Sequence, residues 1–287
     1  MRVISWNIQW GRGADGVVNL SRITDRIHAL GPVDVICLQE VASRFDALAG
    51  GQGEDGPARL AAAFPGYSMI YGPAVDVPGR DGDRQCFGNL ILSRLPVGAV
   101  YRHLLPAPPE AGVPNMQRGC IEAVVVSPAG PALRVLTTHL EYYAPGQRLV
   151  QARWLQRRQA EVAAVAALPV PAREKNGPFA RPPMPAAALV CGDFNCEPDG
   201  PAWAAITDTA GSAVPWLDAW RVLNADTPHP PSVGLHGADW PDHAFCCDYV
   251  FVSQALAPAV RALSYDADTA ASDHQPVRID LDLSGLV

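Results

Sequence analysis

Apolar runs of strand length in this 287-residue chain repeatedly end, or begin, in groups built for chemistry. "RVISWN" ends at Asn7, "VDVICLQE" at Glu40, "RVLTTHL" at His139, and "LVCGDFN" at Asp193 and Asn195. Three other runs start that way: Arg118 precedes "CIEAVVV", Asp248 precedes "YVFVS", and Asp273-His274 precede "PVRIDLDL". Asp and Asn are common where strands give way to turns, so each ending alone says little. In a mixed sheet, the C-terminal ends of strands running one way lie beside the N-terminal ends of strands running the other. All seven groups can therefore meet along one edge, and packing alone supplies no reason for that.

The remaining pattern interleaves helices with those strands. Asn19 is an N-cap candidate for a helix carrying Leu20, Ile23, Ile27 and Leu30 on one face, stopped by Gly31-Pro32. "GYSMIYG" and "NLILSRLPV" read as further strands. The turn residues Ser127 to Pro131 make a hairpin of the strands on either side. The longest helix candidate, Gly146 to Leu168, offers Leu149, Trp154, Leu155, Val162 and Val165 as its apolar side. Residues 169–185 are too proline-rich for regular structure and read as a surface insertion, because the helix before and the strand after both look integral. The expectation is one domain over residues 1–287, of α/β class, with two layers and mixed sheets.

Composition narrows the function classes. At 48% hydrophobic and 18% charged, the chain can bury a substantial core. No apolar run is long enough for a transmembrane segment. The opening "MRVISWNIQW" reads as a strand rather than a signal sequence, so a cytoplasmic location is the default expectation. Seven cysteines, an odd number without zinc-site spacing, argue against a disulfide framework or structural zinc. The net charge is −7, and Lys175 is the only lysine. That balance lacks the broad positive field of a nonspecific nucleic-acid binder, so no stable nucleic-acid partner is expected.

Charge also bears on the edge itself. Glu40, Asp193, Asp248 and Asp273 crowded together would repel one another and raise each other's pKa values. Something positive must offset them. Oxygen donors without cysteine select a hard cation, Mg²⁺ or Mn²⁺. Two histidines, an arginine and a carboxamide beside such an ion suit hydrolysis of a phosphate ester.

In order, "WN", "LQE", "QRG", "THL", "GDFN", "DYVFV" and "SDHQPV" span Trp6 to Val277. This ordered set resembles the endonuclease/exonuclease/phosphatase superfamily, and the histidine of "THL" is similar to its deoxyribonuclease and sphingomyelinase-like branches. The resemblance implies a four-layered α/β sandwich with two central mixed β-sheets flanked by helices. It also implies Glu40 as principal metal ligand, with Asn7 and Asp273 in support, directly or through water. His274 looks like the catalytic histidine, oriented by Asp248. Asp193 would position the attacking water, and Asn195 would bind phosphate beside Arg118. His139 would donate a hydrogen bond to a nonbridging oxygen or protonate the leaving group. Asn89, in "FGNLILSR", resembles a segment of the sphingomyelinase-like branch and is a further phosphate contact candidate.

Specificity should lie in the loops at the active edge. Val222 to Val260 holds no Lys or Arg but carries Asp226, Asp239, Asp242 and Asp248, which is unfavourable for long duplex DNA. Tyr142-Tyr143 follow His139 and can cover a base, sugar or headgroup. The expected partner is a phosphate-ester substrate, small or bearing a single phosphate, cleaved as a diester or monoester. A Mg²⁺-dependent nuclease stands second, and a catalytically silent binding protein third. His229, His236 and His243 read as loop polar groups or substrate contacts rather than metal ligands, having no fixed spacing.

Overall fold

The computed structural model describes residues 1–128, 130–169, 177–180, 182–210 and 214–286. Arg173, Lys175 and Arg181 of the proline-rich insertion, and Ala129 of the hairpin turn, lie outside the described residues. Two six-stranded sheets face each other. The first runs β11 (Val260–Tyr265), β12 (Val277–Leu281), β1 (Arg2–Asn7), β2 (Val35–Ser43), β4 (Arg84–Ser93), β3 (Ser68–Pro78). The second runs β5 (Val97–Leu104), β6 (Gly119–Val125), β7 (Leu133–His139), β8 (Ala188–Asp193), β10 (Asp248–Ser253), β9 (Trp216–Asp218).

Each sheet has the same centre. A parallel pair, β1 with β2 or β7 with β8, is flanked on both sides by antiparallel strands. The parallel pairs end together, with Asn7 level with Gln39 and His139 level with Asp193. Antiparallel β10 begins at that same level, Asp248 opposite Asp193. The convergence of strand ends follows directly from this register.

Side-chain alternation then sorts the residues between faces. Val3 of β1, Val35 and Cys37 of β2, Leu133 and Val135 of β7, Leu189 and Cys191 of β8, and Val250 and Val252 of β10 fill the space between the sheets. The alternate residues point outward. Ile4, Trp6, Ile36 and Leu38 pack under helices α1 (Leu20–Ala29) and α2 (Gly56–Ala63). Leu136, Val190, Tyr249 and Phe251 pack under α3 (Pro145–Ala166) and α4 (Pro201–Thr207). Helix, sheet, sheet, helix makes the four-layered sandwich, one layer pair more than residue patterning suggested. Towards one end, the inward parity changes from apolar to polar: Asn7, Gln39, His139, Asp193 and Asp248 continue the faces begun by valine, leucine and cysteine. No described helix is long and apolar enough to cross a membrane.

Gly192 keeps the central pair of the second sheet tight at that end. Its φ is +143°, and a Cβ there would lie 1.9 Å from the Thr138 carbonyl oxygen. Only glycine lets β8 approach β7 this closely one residue before Asp193.

The helix over 145–166 packs differently from its apolar pattern. Its buried row is Gln147, Gln151, Leu155, Gln159 and Val162, with Val165 exposed. Gln151 and Gln159 are buried because they answer polar groups beneath them, whereas the Gln147 amide has no protein partner. Gln159 accepts from Arg134, and Gln151 accepts the Glu141 N–H at 2.8 Å while donating to the Pro106 carbonyl at 3.1 Å. Arg134 is itself wholly buried on the outer face of β7, donating to Glu122 Oε1 at 2.7 Å. Several element boundaries also moved. "NLILSRLPV" divides into the end of β4 and the start of β5, and "GYSMIYG" continues as β3 to Pro78. Short α2, α4, β9 and β11, and a final helix α5 (Ala219–Asn224), had too few periodic residues to be recognised.

Glu122 is surrounded by Arg134, Arg158 and His103. Burial works against its charge, but these partners prevail and hold its carboxyl down to about 2. The folded value lies below the unfolded one, so this group stabilises the fold above about pH 4.5 and loses that contribution as pH falls towards 2. Glu122→Gln strands the Arg134 charge and should destabilise the fold by about 3–5 kcal/mol. Urea titrations at pH 7 and pH 3 check this: the variant should lose stability at pH 7 and show a shallower further loss on acidification.

Candidate active site

The Asp193 carboxylate stands at the meeting point of the two sheets. Its Oδ2 accepts from Asn7 Nδ2 at 3.0 Å and lies 3.3 Å from His139 Nε2 and 3.6 Å from His274 Nε2. Its Oδ1 accepts the Asn195 backbone N–H at 2.9 Å. Asn7 reaches across from β1 to do this, and its amide also donates to Glu40 Oε1 at 3.2 Å. A single carboxamide therefore links acids from both sheets.

His274 precedes β12 and is nearly fully buried. Its Nδ1 lies 2.9 Å from Asp248 Oδ2, while the Trp6 indole donates to its backbone carbonyl at 2.9 Å. Ser232 completes this arrangement. Its hydroxyl donates to Asp248 Oδ2 at 2.6 Å and accepts the Cys247 and Asp248 backbone N–H groups at 3.0 and 3.1 Å. Burial alone would strip the proton from His274. The carboxylates of Asp248, Asp193 and Asp273 overcome that and raise its pKa well above the usual imidazole value. His139 behaves oppositely: burial, then the nearby Arg118 charge, lower it to about 3. Its Nε2 faces the Asn195 amide nitrogen at 2.9 Å, and its Nδ1 lies 3.8 Å from Glu40 Oε1. One histidine is thus held charged and the other neutral.

Glu40 enters the site through a β-bulge. Gln39 and Glu40 together oppose the single residue Asn89, since Leu38 pairs with Leu90 and Val41 with Gly88. Strict alternation would put Glu40 on the outer face with Leu38. Its left-handed φ of +57° turns the side chain inward instead. Burial first, and then repulsion from Asp273, push its carboxyl up to about 7. Asp273 is raised too, again chiefly by burial. It accepts from Gln9 Nε2 at 2.7 Å and Ser272 Oγ at 3.1 Å.

Arg118 lies beside this group, buried, with Nε donating to Glu141 Oε2 at 3.1 Å and Nη1 without a protein partner. Asn89, Arg118, His139 and Glu40 line a small cavity of about 10 Å³. Asn89 donates to the Gly119 carbonyl at 2.9 Å, and Asn195 donates to that of Leu140 at 2.9 Å. Both carboxamides therefore direct donors at the protein's own backbone. His229 is away from this centre, buried with Nε2 2.9 Å from Asp218 Oδ2; His236 contacts the Ala267 carbonyl, and His243 pairs with Asp242 at the surface.

All ten residues singled out from sequence meet here. Gln9, Gln39, Ser232, Ser272 and Glu141 were missed. Ser272 stood inside "SDHQPV" and Gln39 inside "LQE", whereas nothing in its own segment distinguishes Ser232. Its role depends on a loop folding back against β10.

A profile of the Endonuclease/Exonuclease/phosphatase family matches residues 4–274. The chain belongs to this family. A search of curated proteins found no match. Among solved structures, a family protein from Beutenbergia cavernae DSM 12333 is 28% identical, with a TM-score of 0.68 over 99% of this chain and 72% of that one. The mannosyl-6-phosphatase Bt3783 of Bacteroides thetaiotaomicron VPI-5482 is 16% identical, with a TM-score of 0.64 over 98% and 99%. The 3′ phosphatase NExo from Neisseria, bound to a product DNA hairpin, is 19% identical, with a TM-score of 0.61 over 98% and 99%. The last two likenesses show the fold.

Members of the endonuclease/exonuclease/phosphatase family hydrolyse phosphate esters and generally use divalent metals. The donor set here fits a hard cation: two mutually repelling carboxylates, half-buried Glu40 and buried Asp273, whose protons are held more tightly than usual. A second grouping, Asp193, Cys247 and His274, brings potential ligand atoms within 4.8 Å of one another. Its members are already engaged within the protein: Asp193 accepts from Asn7 and the Asn195 N–H, and His274 Nδ1 lies against Asp248.

If Asp248 sustains the His274 charge, the imidazole should remain doubly protonated through neutral pH in the metal-free protein. Asp248→Asn should move its titration to lower pH. Ring ¹⁵N chemical shifts followed from pH 5 to 9 check this; coincident titrations would show that the pair is not coupled.

Proposed function

We propose that this chain is a divalent-metal-dependent phosphoesterase acting on a small or singly phosphorylated molecule. The observation that carries the reading is the convergence of Asn7, Glu40, His139, Asp193, Asp248, Asp273 and His274 on one centre between the sheets. Residues 1–287 would form one catalytic domain, with 169–185 as an insertion.

Glu40 and Asp273, supported by Asn7, would hold Mg²⁺ or Mn²⁺. When bound, the ion would neutralise charge on the phosphoryl group and on the departing oxygen. Asp193 accepts a proton from the attacking water, which it orients with Asn7. Charged His274, fixed by Asp248, donates Nε2–H to a phosphoryl oxygen and stabilises the negative charge growing there. Neutral His139 is suited to donating a hydrogen bond rather than a proton, because its lowered pKa leaves it nothing to release at pH 7. The unpartnered Nη1 of Arg118 supplies a further donor for the phosphate. Asn195 and Asn89 brace this arrangement through the carbonyls they bind.

Charge favours a small substrate over a nucleic acid. The arginines of the edge loops are already paired: Arg12 with Asp239 at 2.8 Å, Arg44 with Asp83 at 3.1 Å, Arg80 with Asp46 at 2.9 Å and Arg84 with Asp76 at 2.7 Å. A track of free cations for a polyanionic backbone is missing from these pairs.

A panel of phosphate monoesters, diesters, single-stranded nucleic acid and lipid headgroups tests the reading with Mg²⁺ or Mn²⁺. Hydrolysis should disappear on chelation. Glu40→Gln, Asp193→Asn and His274→Asn should each reduce kcat by about 10²–10⁴ while leaving the thermal transition near that of the parent. Near-normal turnover by any two would refute the assignment. Nuclease activity with steep salt dependence would instead favour the nucleic-acid reading.

Ser232 should act through Asp248. Ser232→Ala is expected to lower kcat by about 10-fold and move the acid-base limb of the pH–rate profile, with KM little changed. A loss in kcat with an unmoved profile would assign Ser232 a structural role only.

A further inference from the structure

An open cleft of about 580 Å³ adjoins the catalytic centre, lined by Tyr142, Tyr143, Arg148, Trp240, Phe245 and Glu197. Asn195 belongs to both places: it lines the cleft and contacts His139. The Trp240 ring centroid lies 6.1 Å from that of His274. Anything seated in the cleft therefore touches the wall behind the catalytic imidazole.

The cleft walls are aromatic and mutually braced. Tyr142 meets Trp240 edge to face at 5.5 Å and 84°, and Trp240 meets Phe245 at 5.8 Å and 89°. Tyr142 also meets Tyr143 at 4.7 Å and 86°. Arg148 holds the tyrosine segment from below, donating to the Glu141 and Tyr142 carbonyls at 2.9 and 2.8 Å. Tyr142 and Tyr143 nevertheless remain 37% and 58% exposed, so their faces are available to a ligand.

Size separates the two concavities. The cavity between Glu40, Asn89, Arg118 and His139, at about 10 Å³, holds little more than one water-sized group. The organic part of a phosphate ester cannot enter it. The aromatic cleft falls within the range of roughly 300–1,000 Å³ common for small-molecule sites. Glu197, exposed at the cleft, and Asp242 nearby in sequence to Trp240 disfavour a polyanion continuing outward.

We propose that this cleft is the specificity subsite and takes one ring-bearing ester group, stacked on the face of one of the two perpendicular rings, Trp240 or Tyr142, with its edge against the other. The assignment rests on the phosphoesterase reading above and names its substrate class: a phosphate ester of a single ring-containing alcohol. Stacking on an aromatic face is shared by a nucleoside base and the C–H face of a sugar, and the test distinguishes them.

Isothermal titration of adenosine 5′-monophosphate, glucose 6-phosphate, glycerol 3-phosphate and inorganic phosphate into the full-length Asp193→Asn variant with Mg²⁺ reads binding with turnover suppressed. Phosphate release from the three esters reads turnover. The ring-bearing esters should bind about 10-fold more tightly than glycerol 3-phosphate, and Tyr142→Ala or Trp240→Ala should erase most of that preference. Trp240→Phe should retain much of it, keeping an aromatic face beside His274. Preference for the adenosine ester identifies a flat base, and preference for the glucose ester a sugar. Equal binding of glycerol 3-phosphate and both ring esters, or equal effects of Tyr142→Ala on every ligand, overturns the subsite. Ring-dependent binding without hydrolysis of any ester would leave the subsite standing and overturn the phosphoesterase reading. Hydrolysis of all three esters without ring preference would do the reverse.

Discussion

Crowded negative charge is the constraint on which the site depends. Glu40, Asp193, Asp248 and Asp273 are gathered where the two sheets meet, away from bulk water, and cannot all remain ionised without compensation. The protein supplies part of it: the His274 charge, the Arg118 guanidinium, and the amide N–H groups of Asn7 and Gln9. The raised pKa values of Glu40 and Asp273 mark where compensation is incomplete. Asp193 and Asp248 are instead engaged by histidine, serine and backbone donors. The four acids thus divide into a pair whose protons are held more tightly than usual, Glu40 and Asp273, and a pair engaged by histidine or backbone donors, Asp193 and Asp248.

The sandwich makes this crowding tolerable. Between the sheets, valine, leucine and cysteine side chains exclude water over most of the interface. Gln39 then marks the change from apolar to polar, donating across the interface to Thr137 Oγ1 at 2.8 Å. Glu40, Asp193 and Asp248 are therefore carried on well-packed strands, and Asp273 on the segment leading into β12. Rigid support fixes distances near 3 Å between groups more than 180 residues apart in sequence, such as Asn7 and Asp193. Cysteine belongs to the packing: all seven are free, and burial pushes Cys37 and Cys120 well up as thiols.

Ser232 and Trp240 show how one loop supports both the candidate site and the aromatic cleft. The segment between α5 and β10 brings the Ser232 hydroxyl to Asp248 and places the Trp240 ring beside His274. The His229 contact with Asp218 anchors the start of that segment. A change in loop conformation would therefore alter both the orientation of His274 and the wall of the aromatic cleft, because the imidazole lies directly behind the cleft.

The amino-acid sequence by itself determined most of the strands, the order of the motifs, the family, and the ten residues now seen around one centre. Each rests on local information: alternation, a run of apolar residues, and polar groups at a strand end. Tertiary structure alone decided the rest. The bulge opposite Asn89 turns Glu40 inward, although alternation from Leu38 points it outward. Buried glutamines on the helix over 145–166 answer Arg134 and Glu141, so its buried row cannot be found by hydrophobicity. Ser232 and Trp240 gain their positions from a loop that packs against strands distant in sequence. The opposite protonation of His139 and His274 has the same origin, since the charges that decide it arrive on different strands and act through space.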